Sequence, residues 1–140
     1  MTLVGQLQTD RGEIRIERRR PGLLVSRTSG HMDVRFADLL IRVSEEEIVL
    51  HGVFTHFMDW RDVVGYDSEV RRRCTAWAIA QGAPHPRIAI LTSNRLVHMG
   101  VSAAALALAL TGRSLESHTD PARFQAELRN SEVLGVRRAS

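Results

Sequence analysis

Residues 87 to 112 read "RIAILTSNRLVHMGVSAAALALALTG", a short apolar run followed at once by a stretch of helical character that is apolar on nearly every side. No other feature constrains the fold of this chain as much. Arg87 to Leu91 suits a strand buried on both faces. The helix after it, closed by Gly112, has to be covered on more than one face and is expected to lie against the sheet. A buried strand feeding a buried helix is part of a βαβ unit, and a chain of 140 residues has room for several such units around one core.

The flanking segments extend the pattern. Ile14 and Ile16 alternate with polar residues, Pro21-Gly22 signals a turn, and Leu23, Leu24 and Val25 form a second apolar run, which together read as a β-hairpin. In "DVRFADLLIRVSEEE", Val34, Phe36, Leu39, Leu40 and Val43 fall at helical spacing behind Asp33 as cap. The run "IVLHGVF", Ile48 to Phe54, is short and rich in β-branched residues and is expected to be a central strand, since the three glutamates before it suit no buried element. "THFMDWRDVVGY" is irregular and aromatic, the pattern of a loop or short helical turn over the sheet edge.

Ser68 to Gln81 reads as a helix capped by Asp67 or Ser68, with Val70, Cys74, Trp77, Ala78 and Gln81 on its inner stripe. "GAPHP" ends it, "SLESH" is a short strand, and "TDPARFQAEL" opens a last helix with Asp120 as cap, Pro121 in the first turn and Ala122, Phe124 and Leu128 facing inward. Residues 1–11 and 131–140 are expected as tails around a domain spanning 12–130, with "GVRRAS" fraying. The predicted fold is α/β: a mixed central sheet with an N-terminal hairpin, parallel core strands and about four helices on right-handed crossovers.

Charge narrows the function classes. All nineteen basic residues are arginine, and sixteen acidic residues oppose them, leaving a formal charge of +3. A protein that holds nucleic acid by neutralising phosphates masses its cations on one face. Here the triplet Arg71, Arg72, Arg73 spreads around a helix, and Asp67 and Glu69 lie four residues ahead of Arg71 and Arg73, the favourable order for pairing. No nucleic-acid partner is expected. One cysteine, Cys74, excludes an internal disulfide. The N-terminus lacks a signal-peptide pattern, and "VSAAALALAL" is too short to span a bilayer, so the chain is expected to be cytoplasmic and not an integral membrane protein.

The element order, with the phrases "GYDSEVRRRCTAW", "RIAILTSNRLVHMGVSAAALAL" and "SHTDPARFQAEL", resembles the STAS superfamily and in particular its divergent bacterial SpoIIAA-like single-domain branch, over roughly residues 12 to 130. The resemblance implies a STAS-like α/β domain that is not an enzyme, needs no cofactor, and acts by binding a protein partner as a regulatory module. In the family a serine or threonine at a helix start, after an aspartate, is the phosphorylation switch. Here "FMDW" falls in the comparable place, and Trp60 stands where the hydroxyl would be; Asp67 and Ser68 in "YDSE" follow later without the glycine, so Ser68 reads as a cap. The family uses the loop and helix start after its central strand, which makes Asp59, Trp60, Tyr66, Ser68 and Arg72 the candidate partner-binding residues. A homodimer is left open. Divergent members are also similar to lipid-binding α/β folds, and Phe54, Phe57, Met58, Trp60 and Tyr66 would line an apolar groove for a small ligand.

The search for chemistry gives little. The six histidines form no recognised ligand spacing; His51 and His56, five apart with Asp59 nearby, are the nearest approach to a metal site, and none is assigned. Cys74 is the obvious nucleophile by residue type, but its place on the apolar stripe beside Trp77 makes it a buried thiol. Ser93, Asn94 and Arg95 lie between a strand and a helix, where free amides and a guanidinium would favour an anion; the plainer reading is an N-cap beside a surface arginine.

Overall fold

The computed structural model describes the backbone of residues 1–139 and the side chains of residues 1–134. Within these residues the chain runs β1 (Thr2–Gln8), β2 (Gly12–Arg20), β3 (Leu23–Met32), α1 (Val34–His51), β4 (Thr55–Tyr66), α2 (Ser68–Ala80), β5 (Arg87–Thr92), α3 (Arg95–Ala109), β6 (Leu115–His118) and α4 (Pro121–Ala139). One sheet carries the six strands in chain order. β1, β2 and β3 pair antiparallel, and from β3 to β6 every pair is parallel. This is the mixed α/β sheet with an antiparallel hairpin edge that the sequence predicts.

Strand order advances in one direction and parallel crossovers are right-handed, so α1, α2 and α3 fall on the same face. Phe36, Leu40, Val43, Val70, Val97 and Val101 from these helices join Ile14, Ile16, Leu24, Met58, Trp60 and Ile90 from the strands in the larger core. α4 covers the other face alone, setting Phe124 and Leu128 on Leu23, Phe57, Ala89 and Leu91. Phe57 and Phe124 meet edge to face with centroids 5.4 Å apart, an arrangement that adds about 0.5–1.5 kcal/mol to the area they bury.

The structure departs from the sequence reading at several elements. α1 does not end with the glutamates: its inner stripe of Phe36, Leu39, Leu40, Val43, Ser44 and Glu47 stays in helical phase, the helix runs on to His51, and Gly52, with φ of 79°, closes it. Glu47 is fully buried. Its Oε1 accepts from Arg18 Nε at 2.8 Å and lies 2.7 Å from Arg18 Nη2, and its Oε2 accepts from the Gly22 amide at 2.9 Å. The strand expected over Ile48–Phe54 is therefore the last turn of α1 and the loop beyond it.

The central strand is instead β4, the segment read as loop. It sits between β3 and β5, and both of its faces are covered, Met58 and Trp60 by the helix layer and Phe57 by α4. A strand covered on both sides loses the polar–apolar alternation that would identify it.

Residues 1–11, expected as a tail, carry β1. Leu7 pairs with Ile14 and Gly5 with Ile16, while Val4 and Leu7 pack against the larger core. A Cβ at Gly5 would stand 2.9 Å from Val43 Cγ2, so the glycine is what lets α1 close over this strand. At the other end, residues beyond 130 continue α4, and the Arg20 guanidinium donates to the Ser131 carbonyl at 2.9 Å while Arg19 pairs with Glu132 at 3.0 Å. The segment expected to fray, residues 135–140, continues α4 in its backbone as far as Ala139, and Ser140 lies outside the described residues.

α3 also differs. Val97, Val101 and Leu108 are its buried residues, because among the described residues it is the outermost helix of its layer, packed beside α2.

Candidate functional site

The outer face of α3 is apolar and bare. Leu96, Met99, Leu106 and Leu110 are 77%, 59%, 65% and 82% exposed. With the exposed Ala103 between them they step by three and four residues, which aligns them in one stripe along the helix. Arg95, at the helix start, is the single arginine, lysine, aspartate or glutamate within α3.

Beneath α2 and α3 lies a cavity of about 110 Å³. Met58 and Trp60 of β4, Leu40 of α1, Cys74 of α2, and Val101 and Ala104 of α3 supply its wall. Tyr66, at the end of β4, also borders it, its ring centroid 6.3 Å from that of Trp60. A Cβ on Gly100 would collide with the Tyr66 hydroxyl, so a glycine there allows the ring to rest against α3. The Trp60 indole Nε1 is buried and finds no acceptor among the described residues.

Against these features, the candidate residues from the sequence separate. Asp59 and Trp60 are consecutive on a strand and point to opposite faces. Trp60 turns into the cavity, 7% exposed, which removes it from any outer surface. Asp59 turns toward the α4 side and accepts from the Arg61 amide at 3.1 Å and from its guanidinium at 2.8 Å. Burial works to raise the Asp59 pKa, but the bonds from Arg61 outweigh it and hold the carboxyl below its ordinary value. Ser68 and Arg72 remain exposed on α2, with Arg72 paired to Glu69 at 2.6 Å.

Asp67 occupies the N-cap position of α2 but its side chain caps nothing, because its carboxylate meets His31 Nε2 at 2.7 Å. The expected pairing of Asp67 with Arg71 is thereby replaced, while Glu69 does reach Arg73, at 3.4 Å. Of the proposed groove residues, Met58, Trp60 and Tyr66 border the cavity. Phe57 belongs to the core under α4, and Phe54 to the larger core.

Two comparisons find nothing: no family model matches the chain, and no curated protein does. Solved structures do match. An uncharacterized DUF3478-family protein from Shewanella loihica PV-4, with a SpoIIAA-like fold, superposes with a TM-score of 0.58 at 15% identity, over 89% of this chain and 99% of that one. The chain has a SpoIIAA-like fold. The anti-sigma factor antagonist SpoIIAA in its unphosphorylated form matches with a TM-score of 0.52 at 14% identity, over 81% of this chain and 94% of that one.

Within this SpoIIAA-like fold the start of α3 is capped by its own side chain. Asn94 Oδ1 accepts from the Leu96 and Val97 amides at 2.9 and 3.2 Å, and Ser93 Oγ donates to the Arg61 carbonyl at 2.6 Å. Asn94 is thus the N-cap of α3 and holds two of the amides of its first turn. His56 is fully buried and bonded to Ser26 Oγ at 2.8 Å, and burial pushes its imidazole down to about 3. It faces the helix layer, away from Asp59, while His51 lies at the end of α1, so these three do not converge.

A polar cluster that sequence spacing did not reveal lies under α4. Arg87 Nη2 bridges Glu116 Oε1 at 2.9 Å and Glu127 Oε2 at 3.0 Å, and His118 Nε2 stands 3.6 and 3.7 Å from the same two carboxylates. Glu116, His118 and Glu127 have the residue types of a metal site, but a guanidinium already sits between the carboxylates and ties α4 to β5 and β6. Glu116 is held below its ordinary pKa chiefly by its bond from Arg87. Two of these residues alternate on β6, a readable hint; Arg87 and Glu127 arrive through tertiary contact alone.

Cys74 behaves as a structural thiol. Burial, with a smaller contribution from Asp38, pushes it up to about 12. Because the thiolate is the reactive form, the native protein is expected to leave a disulfide reagent at pH 8 essentially unconsumed over the time in which guanidine-unfolded protein reacts fully. Rapid labelling of the native chain at one thiol per molecule would contradict this.

Among the described residues no helix is long and apolar enough to cross a membrane.

Proposed function

We propose that this chain is a non-enzymatic, regulatory binding module that docks a protein partner on the outer face of α3. The observation that carries the reading is the bare stripe of Leu96, Met99, Leu106 and Leu110. Steps of three and four residues are those at which one helix receives another, and a helix with a single charged end suits an apolar helical face on the partner. Burying four such side chains contributes on the order of several kcal/mol. The fold likeness to a protein described as an anti-sigma factor antagonist supports a protein partner. Ser68 and Arg72, exposed on α2, extend the same layer and form its polar rim. A single, half-buried cysteine agrees with the cytoplasm as the setting.

The test is a photo-crosslinking residue placed at Leu106 and, as control, at Arg15, in the native host. The reading expects one protein to be captured from position 106 and not from position 15, and expects that purified protein to lose binding at least tenfold to the Leu96→Glu/Leu106→Glu variant while the variant keeps its melting profile. Crosslinks to a second copy of this chain would make the stripe a homodimer seam instead. Equal binding by the double variant would remove α3 from the interface.

A further inference from the structure

We propose that Glu116 and His118 of β6 and Glu127 of α4 together bind one divalent transition-metal ion, Zn²⁺ being the ion their chemistry suits best, and that the ion enters by displacing one nitrogen of Arg87. This goes beyond the partner face, since the three side chains lie on the α4 side of the sheet and α3 belongs to the opposite layer.

Three observations converge. The first is position. Arg87 Nη2 bridges Glu116 Oε1 and Glu127 Oε2 at 2.9 and 3.0 Å, and His118 Nε2 faces the same two oxygens from 3.6 and 3.7 Å. One ligand atom from each of Glu116, His118 and Glu127 lies within 4.8 Å of the other two. Two ligands on a tetrahedral zinc, each about 2.1 Å from the metal, stand about 3.4 Å apart. The imidazole nitrogen is therefore too far from the carboxylates for a hydrogen bond and close to the spacing of atoms that share an ion.

The second is the state of His118. Only 9% of its side chain is exposed, and Phe124 packs against its ring with centroids 5.8 Å apart. Its Nε2 is out of contact with solvent and has no hydrogen-bond partner among the described residues. A buried polar atom left without a partner is costly, and this one is aimed at two oxygens that it does not bond. An ion held between them supplies the missing partner.

The third is charge and access. Two carboxylates match the charge of a divalent ion, and an imidazole beside them favours zinc over magnesium or calcium, which take oxygen ligands. Glu116 and Glu127 are half-buried, so the ion reaches them from solvent and keeps water as its fourth ligand. Arg87 does not have to leave. Its Nε donates to the other oxygen of Glu116, Oε2, and that bond orients the carboxylate while Nη2 withdraws. An ion held by both β6 and α4 then fastens the helix that covers this side of the sheet.

The experiment titrates Zn²⁺ into the purified full chain, freed of metal with a chelator, and follows the heat of binding and the imidazole resonances of the ¹⁵N-labelled protein. One ion per chain is expected, bound in the micromolar range, with the His118 Nε2 resonance moving and those of His31, His51 and His98 unchanged. The melting temperature should rise by more than about 5 °C at a hundredfold excess over the dissociation constant.

Glu127→Gln and His118→Asn should each weaken binding by about tenfold or more, and the half-buried Glu127 carries the test if His118→Asn fails to fold. Arg87→Met, which removes the competing cation, should bind the ion about threefold more tightly. The proposal is overturned if no ion binds below millimolar concentration, if folded Glu127→Gln binds as tightly as the native chain, if the resonance that moves belongs to another histidine, or if folded Arg87→Met loses the ion.

Discussion

Replacing Arg18 by methionine is expected to lower the free energy of unfolding by about 3 kcal/mol, among the largest losses from any single surface-reaching residue of this protein. The cause is Glu47. Its side chain is wholly enclosed, whereas that of Arg18 keeps 20% of its surface in contact with solvent. Removing the guanidinium leaves a carboxylate whose remaining hydrogen bond is the Gly22 amide. Breaking a buried pair from one side is costly because the surviving charge cannot recover its hydration.

The double variant Arg18→Met/Glu47→Leu should regain most of the loss and fall short by about 1 kcal/mol, since the Gly22 N–H then lacks its acceptor. Arg72→Ala, which breaks an exposed pair with Glu69, should change stability by less than about 0.5 kcal/mol. Urea titrations of the four proteins with unchanged slopes would measure all of this. A loss below about 1 kcal/mol in Arg18→Met would show that Glu47 does not depend on it.

The second large effect is a loss of stability in mild acid. The unfolded chain takes up a proton on His56 near the ordinary 6.5, while the folded chain resists it until about 3. Between those values the unfolded state binds one proton more, so stability falls as pH falls, by about 1.4 kcal/mol per pH unit. Above 6.5 both states are neutral at this residue and the effect vanishes. From pH 6.5 to pH 5 the loss from His56 alone is about 2 kcal/mol. His56→Leu removes this titration whatever it does to stability at pH 8. The gap in unfolding free energy between the native chain and His56→Leu should therefore shift by about 2 kcal/mol in favour of the variant across that interval, with the other five histidines cancelling in the difference. A gap independent of pH would mean that the imidazole is protonated inside the fold.

Both residues also explain how far the sequence could be read. The hairpin at Pro21-Gly22, the strand from Arg87, the short β6 and the Asp120-Pro121 helix start carry local signals: a turn pair, a β-branched run and a cap with an early proline. These are enough to suggest the α/β order. The extents of α1 and β4 are not legible in this way, because their decisive residues answer to distant partners.

Glu47 occupies an inward position of α1 and breaks the apolar periodicity; its countercharge comes from β2, 29 residues earlier. His56, Met58 and Trp60 face one core and Phe57 the other, so β4 mixes polar and apolar residues on both sides. Which way Trp60 faces is not legible either, since a residue list does not tell a strand's inner face from its outer one when both are covered. The α3 stripe was visible as composition. Its exposure was not, because nothing in its own residues says that no further helix lies beyond it.

The order of the strands in space is also their order along the chain. A growing polypeptide can therefore extend the sheet by one edge at a time as it leaves the ribosome, with no earlier strand having to reopen for a later one. α4 is the exception. Arg19 and Arg20 wait more than a hundred residues for Glu132 and Ser131, and until those arrive Leu23, Phe57, Ala89 and Leu91 have no cover. During synthesis the vulnerable intermediate is thus a nearly finished sheet with one greasy side open to chaperones and to its own neighbours, and the final helix is the clasp that ends that exposure.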